Sequence, residues 1–344
     1  MLNKFLAAGV AAVTLAGVAT AAYAGKELDA IKARGQLICG VSTGVAGFAS
    51  ADSQGKWTGI DVDVCRAVAA ALFGDADKVK YVPTTAQQRF TALQSGEVDL
   101  LARTTTYTLT RDTALGFDFT GVNYYDGQGF MVNKKLGVKS AKELNGATIC
   151  VAPGTTTELN LADYFRANKM NFKPVVIEKV DEVRAAFFSG RCDVYTTDNS
   201  SLYATRAANV PPPLTVDDFI ILPEVISKEP LGPVVRHGDS QFADIVRWSL
   251  FAMVEAEEYG ITSANVDEMM KSDNPTIKRI LGVTPGMGKA LGVDEKWVYN
   301  IIKQVGNYGE SFERNVGMGS ILKIARGQNE LWTKGGLQYA PPIR

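Results

Sequence analysis

Histidine is almost missing from this chain: a single residue, His237, in 344. Catalytic triads and zincin sites draw on imidazole, and neither an H-E-x-x-H nor a G-x-S-x-G pattern occurs. The four cysteines, Cys39, Cys65, Cys150 and Cys192, include no C-x-x-C pair, so no metal site is expected. Net charge is nearly absent as well, since 36 Lys and Arg against 37 Asp and Glu leave −1. Such a balance offers little to nucleic acid or to an anionic bilayer surface. Beyond the N-terminus no apolar run reaches membrane-spanning length. A small neutral or zwitterionic partner fits better, with no cofactor.

Weaker candidates for chemistry dissolve one by one. His237 lies in a turn-like Arg-His-Gly-Asp. Gly282 to Lys289 resembles a phosphate loop, but its spacing is wrong and no hydroxyl follows Lys289. Asp61 and Asp63 read as polar residues of a strand-to-helix turn. No nucleophile is left with a base beside it.

The first 24 residues have the form of a secretory signal. One cation, Lys4, precedes the apolar run Leu6 to Val18, and Ala22 to Ala24 supplies small residues for cleavage after Ala24. No Cys follows that site, so a lipid anchor is not expected, and the mature protein is placed in the periplasm. Export makes the cysteines readable as disulfides, for which the sequence allows three pairings. Cys39–Cys65 and Cys150–Cys192 are favoured, because each joins neighbouring elements.

The stretch Ser95–Asp112 organises the rest. A helix stops at Ser95-Gly96, an apolar strand follows over Val98 to Ala102, and a threonine-rich segment closes on Arg111. Ser189-Gly190 repeats the helix stop 94 residues later and leads into a strand ending at Asp198. Two related lobes are implied. Elsewhere strands and helices alternate through short connections, the pattern of mostly parallel sheets flanked by helices, an α/β fold. The first lobe is expected to take 25–133 and 230–344, and the second 134–229, with two antiparallel strands as hinge. Helical segments near 266–271, 275–281, 295–305 and 319–324 form a C-terminal extension outside the first lobe.

Candidate ligand groups lie at strand ends and helix starts, where open α/β sheets receive ligands. Thr104 and Thr106 offer hydroxyls and backbone groups, and Arg111 a guanidinium fork. Gly154 to Thr157 delivers Thr155 and Thr156 to a helix start, where orphan N–H groups favour an anion. Asp198 suits a cation. Phe48, after a Gly-rich turn at a strand end, is placed to cover a ligand.

In Arg89-Phe-Thr-Ala-Leu-Gln-Ser-Gly-Glu-Val-Asp99, Thr104–Asp112 and Lys228-Glu-Pro-Leu-Gly-Pro-Val-Val-Arg236 the chain resembles the polar-amino-acid-binding proteins of ABC importers. It is most similar to the general L-amino-acid-binding and glutamate/glutamine/aspartate/asparagine-binding groups, from about residue 27 onward. The resemblance implies the two-lobed type II periplasmic-binding-protein fold, acting as a monomer. It assigns Arg111 to the ligand α-carboxylate, with Thr155 and Thr156 donating to the same group, Thr104 and Thr106 adding contacts, and Asp198 taking the ammonium. Arg89 matches an arginine that acidic-amino-acid binders place near the ligand side chain. Ala86 departs from the pattern, since several relatives carry a stacking aromatic there, and a roomier pocket is expected. The implied partners are a free L-amino acid and an inner-membrane ABC permease. An exported enzyme resembling the cyclohexadienyl dehydratases, or a ligand-sensing module, is the alternative.

Overall fold

The computed structural model describes residues 25–344, so the signal segment lies outside it. After α1 (Lys26–Arg34), stopped by Gly35 in the left-handed region at φ 68°, β1 (Leu37–Ser42) begins the first sheet. A small hairpin, β2 (Ser50–Ala51) and β3 (Trp57–Thr58), leads into α2 (Ile60–Phe73). Next come β4 (Val79–Thr84), α3 (Arg89–Gln94), β5 (Leu100–Leu101) and β6 (Phe117–Phe119). The chain leaves through β7 (Tyr124–Asp126) into β8 (Gln128–Asn133). The second lobe continues as β9 (Thr148–Val151), α4 (Thr156–Ala167), β10 (Lys173–Val176), α5 (Val180–Phe188), β11 (Val194–Asp198), α6 (Asn199–Ala208) and β12 (Phe219–Ile221). It returns through β13 (Glu229–Leu231), antiparallel to β7, into β14 (Val234–Arg236).

The sheets have orders β4-β1-β5-β14-β6 and β10-β9-β11-β8-β12. In each, three parallel strands are followed by one that runs opposite, arriving from the other lobe, and by a fifth that runs with the first three. The strand at 128–133, expected in the first lobe, belongs to the second: β8 pairs with β11 from Gln128 to Val132. The break in periodicity after Asn133, which suggested a lobe boundary, is a single 3-10 turn capped by the Asn133 side chain. Sequence shows that a strand ends there but not which sheet holds it.

Helices α7 (Ser240–Glu258), α8 (Val266–Met269), α9 (Pro275–Ile280), α10 (Met287–Leu291), α11 (Trp297–Gln304) and α12 (Tyr308–Asn315) follow. Trp297, Val298, Ile301, Ile302, Tyr308 and Phe312 join the first-lobe core. The stretch 319–324 is not helical: Gly319 and Ser320 lie in turns, and Lys323 takes φ 51°. Helix α12 comes instead, opened by an Asn307/Glu310 capping box. Its Ser311, Arg314 and Asn315 all donate to Asp63 at the start of α2, which docks the extension on the first lobe. Cys39 pairs with Cys65, and Cys150 with Cys192. Among the described residues no helix is long and apolar enough to cross a membrane.

Candidate functional site

The first-lobe wall begins where β5 ends. Arg103 is buried, with Nε donating to the Thr84 carbonyl at 3.0 Å. Thr104 then adopts φ 39°, an outlier for a β-branched residue that the surroundings must enforce. They do so through Asp61, whose carboxylate accepts the Thr104 N–H at 2.9 Å and the Asn123 amide at 2.8 Å. Burial lifts the Asp61 carboxyl to about 6, against the pull of these hydrogen bonds and of Arg103. Asp61 is therefore no mere turn residue: it sets the conformation of the cleft.

Arg111 lies on a wide helical turn, Thr110–Ala114, with its guanidinium 5.1 Å from the Phe90 ring centre. Its Nη1 donates to the Thr106 carbonyl at 2.8 Å. Arg89 is buried beside it and reaches the Thr104 carbonyl only at 3.5 Å, leaving its Nε without an acceptor. Burial, then the nearby Arg111 and Arg103, push Arg89 well below the ordinary guanidinium value. It has no carboxylate ion-pair partner among the described residues.

The second lobe supplies α4 and the end of β11. Thr155 is the N-cap of α4: its hydroxyl accepts the Glu158 N–H and donates to the Ala152 carbonyl at 2.8 Å. The Thr156 hydroxyl donates to Glu229 at 2.7 Å. Both hydroxyl protons are thus engaged within the protein, which leaves the expected donation to a carboxylate to the backbone of the helix start. What the helix start still offers is its first-turn N–H groups, which have no intrahelical acceptor. Asp198 is buried at the head of α6, and no described residue hydrogen-bonds its carboxylate. Burial, with the Asp126 and Glu229 carboxylates nearby, raises it well above the usual carboxylate range.

Glu229, on the hinge strand β13, accepts from Thr106 (2.6 Å), Thr156, Asn160 (2.8 Å) and Ser227 (2.7 Å), and so ties both lobes. Because the Thr106 proton goes to Glu229, that hydroxyl presents a lone pair to the cleft. Further contacts cross the cleft from Thr85 to Glu178 (2.7 Å), from Arg184 to the Gly44 carbonyl (3.0 Å) and between Thr106 and Thr156 (3.2 Å).

Arg89, Thr104, Thr106, Thr155, Thr156 and Asp198 line one cavity between the lobes, with Ala86 in its wall. Arg111 is not among the lining residues; its guanidinium is held on the carbonyl of Thr106, which is. Phe48 does not reach the cavity: it is fully buried in the first-lobe core, edge-on to Tyr124 with centroids 5.1 Å apart. A strand-end turn fixes where a residue sits but not which way its side chain turns, and here the apolar ring turns inward. Arg103 and Arg184, which also line the cavity, carried no sequence signal separating them from surface arginines. Glu229 did stand in a motif, Lys228-Glu-Pro-Leu-Gly232, but its role was not legible. Among the described residues no group of three His, Cys, Asp or Glu side chains is arranged to hold a metal ion.

Residues 37–264 match the bacterial extracellular solute-binding proteins, family 3. The chain is 60% identical to the general L-amino acid-binding periplasmic protein AapJ of Rhizobium johnstonii over 346 aligned residues, all of both chains. It is 57% identical to the glutamate/glutamine/aspartate/asparagine-binding protein BztA of Rhodobacter capsulatus, covering 96% of this chain and 97% of that one. An ABC transporter periplasmic binding protein from Brucella ovis, solved with glutathione bound, superposes with a TM-score of 0.89 at 62% identity, covering 92% of this chain and 99% of that one. The chain thus belongs to family 3 of the bacterial extracellular solute-binding proteins.

Proposed function

We propose that the protein is the periplasmic capture component of an amino-acid ABC importer, secreted through a cleaved signal at residues 1–24 and acting as a monomer. It closes two lobes over a free L-amino acid, polar and acidic ones preferred, and hands it to an inner-membrane permease. The observation that carries this reading is Asp198, a buried carboxylate without a hydrogen-bond donor, in a cavity whose opposite wall is built by Arg89, Thr104 and Thr106. A zwitterion supplies the missing cation to Asp198. Its α-carboxylate goes to Arg111, whose Nη1 is used by Thr106 but whose fork is otherwise open, and to the first-turn N–H groups of α4. Thr106 accepts from the ammonium. Both charged ends are satisfied only when the lobes meet, so ligand binding favours closure.

The proteins at 57–60% identity are named for amino-acid binding, which supports this reading over an enzyme. A second reading, a γ-glutamyl peptide such as glutathione, is favoured by the Brucella ovis structure. It keeps the same head group and adds a chain beyond it. To test both, protein purified without added ligand is denatured and the released small molecules are identified. Titration calorimetry with glutamate, glutamine, leucine and glutathione then ranks them. Release of no amino acid or peptide, and no heat with any of the four, overturns the proposal.

A further inference from the structure

We propose that Arg184 is a specificity residue which, with Arg89, clamps the distal carboxylate of a dicarboxylic amino acid; this rests on the amino-acid-binding reading. The repeat pairs α3 with α5, each ending at a Ser-Gly stop. Helix α3 sends Arg89 into the cavity from the first lobe, and α5 sends Arg184 from the second. Both guanidinium groups are buried, and in both the Nε has no hydrogen-bond partner. Unpaired buried donors are costly, and two arginines in that condition lining one cavity point to an acceptor that arrives from outside and draws the guanidinium groups to it.

Charge identifies that acceptor. The charged side chains lining the cavity are Arg89, Arg103 and Arg184 against Asp198 alone, with Arg103 partly offset by Asp61 outside the lining. Glu229 is turned to its own four donors, and Asp181, which pairs with Arg184 Nη1 at 3.2 Å, is 86% exposed and screened by water. An α-amino acid with a neutral side chain leaves the cationic excess in place. A second carboxylate removes one charge and suits two guanidinium groups approaching from opposite sides.

The clamp is also tied to closure. Arg184 Nη2 donates to the Gly44 carbonyl of the first lobe, so Arg184 and Arg89 share one cavity in this arrangement only when the lobes are together. A ligand with a distal carboxylate therefore gains a charge-assisted contact in the closed state that an amide oxygen makes only as a neutral acceptor and a methyl side chain lacks.

Calorimetry on wild type, Arg184→Gln and Arg184→Lys with L-glutamate, L-glutamine and L-alanine tests this. Arg184→Gln should lose about 10- to 100-fold in glutamate affinity, the range for a hydrogen bond to a charged group, with a markedly smaller loss for alanine. Arg184→Lys should recover part of the glutamate loss. Small-angle scattering should show glutamate-driven compaction weakened in Arg184→Gln while that by alanine persists. Equal losses for all three ligands would make Arg184 a latch on Gly44 and overturn the clamp, as would an unchanged glutamate affinity. If wild type binds the neutral amino acids but not glutamate, the clamp alone fails; if it binds none of the three, the amino-acid reading fails with it.

Discussion

The two lobes share a strand order and a pattern of parallel and antiparallel pairing, yet fasten their sheets differently. Gly40 pairs in register with Leu101, and Cys150 with Tyr195. The repeat offset of 94 carries Leu101 to Tyr195 and Val98 to Cys192, so Cys150 is the counterpart of Gly40 and not of Cys39. A Cβ at Gly40 would come within 2.5 Å of Leu101 and 3.3 Å of Val98. Where the second lobe has a disulfide, the first has a glycine beneath two apolar side chains. The first-lobe disulfide lies one residue back on its strand, which turns it to the opposite face of the sheet and onto α2. One backbone plan thus accepts a covalent or a packed solution at the same place.

The largest way to break the symmetry of the lobes is at the ligand. Arg111→Ala should cost about 3–5 kcal/mol in binding for every amino acid, because the partner charge stays buried and unpaired. Near-native affinity in the folded variant would remove Arg111 from the carboxylate site. Next come the fasteners. Loop-entropy estimates give about 3.5 kcal/mol for the bridge spanning 26 residues and about 4 for the one spanning 42. Paired Cys→Ser variants should lose similar stability in urea while each folded variant still binds ligand. Loss of binding before unfolding would show that one bridge serves the cleft.

A third contrast uses acidity. Asp61 titrates near 6 when folded against 3.8 ordinarily, so its contribution is fully present below pH 3.8 and is lost as the pH rises through about 6. The stability of wild type relative to Asp61→Asn should fall by about 2.4 kcal/mol from pH 4 to pH 7. A pH-independent difference would sink the assignment. On the second lobe, Asp198→Asn should weaken glutamate by about 2 kcal/mol and spare glutarate, which lacks the ammonium; equal effects would mean a structural role. The smallest effect is expected from Thr155→Ala, about 1 kcal/mol of stability for a lost N-cap. A thermal melt indistinguishable from wild type would show that the Ala152 and Glu158 contacts are replaced by water.

The repeat was legible because a Ser-Gly helix stop and the strand after it are local features, written in consecutive residues. What was not legible depends on distance along the chain. Asp61 read as a turn residue because its partners, Thr104 and Asn123, are 43 and 62 positions away. The membership of strand β8 in the second sheet is hidden because nothing between residues 124 and 128 announces a change of sheet. The inward turn of Phe48 is not written near it, because its packing partner Tyr124 comes long after it. Residue type pointed to Arg89, Thr104 and Asp198, while Arg103, Arg184 and Glu229 needed the fold to bring them inward.

The position of β14 has a consequence for the order of assembly. It lies between β5 and β6, and β6 reaches the first sheet only through it. A chain emerging from its N-terminus therefore holds three strands of the first sheet, β4-β1-β5, until residues 234–236 arrive. All five strands of the second sheet are contiguous in sequence and complete by Ile221. Shorter loops close faster, so the inserted lobe has the means to mature first and to bring the ends of its host together through the β7/β13 pair. In pulse-labelled hydrogen exchange, amides of β9 and β11 should gain protection before those of β6 and β14.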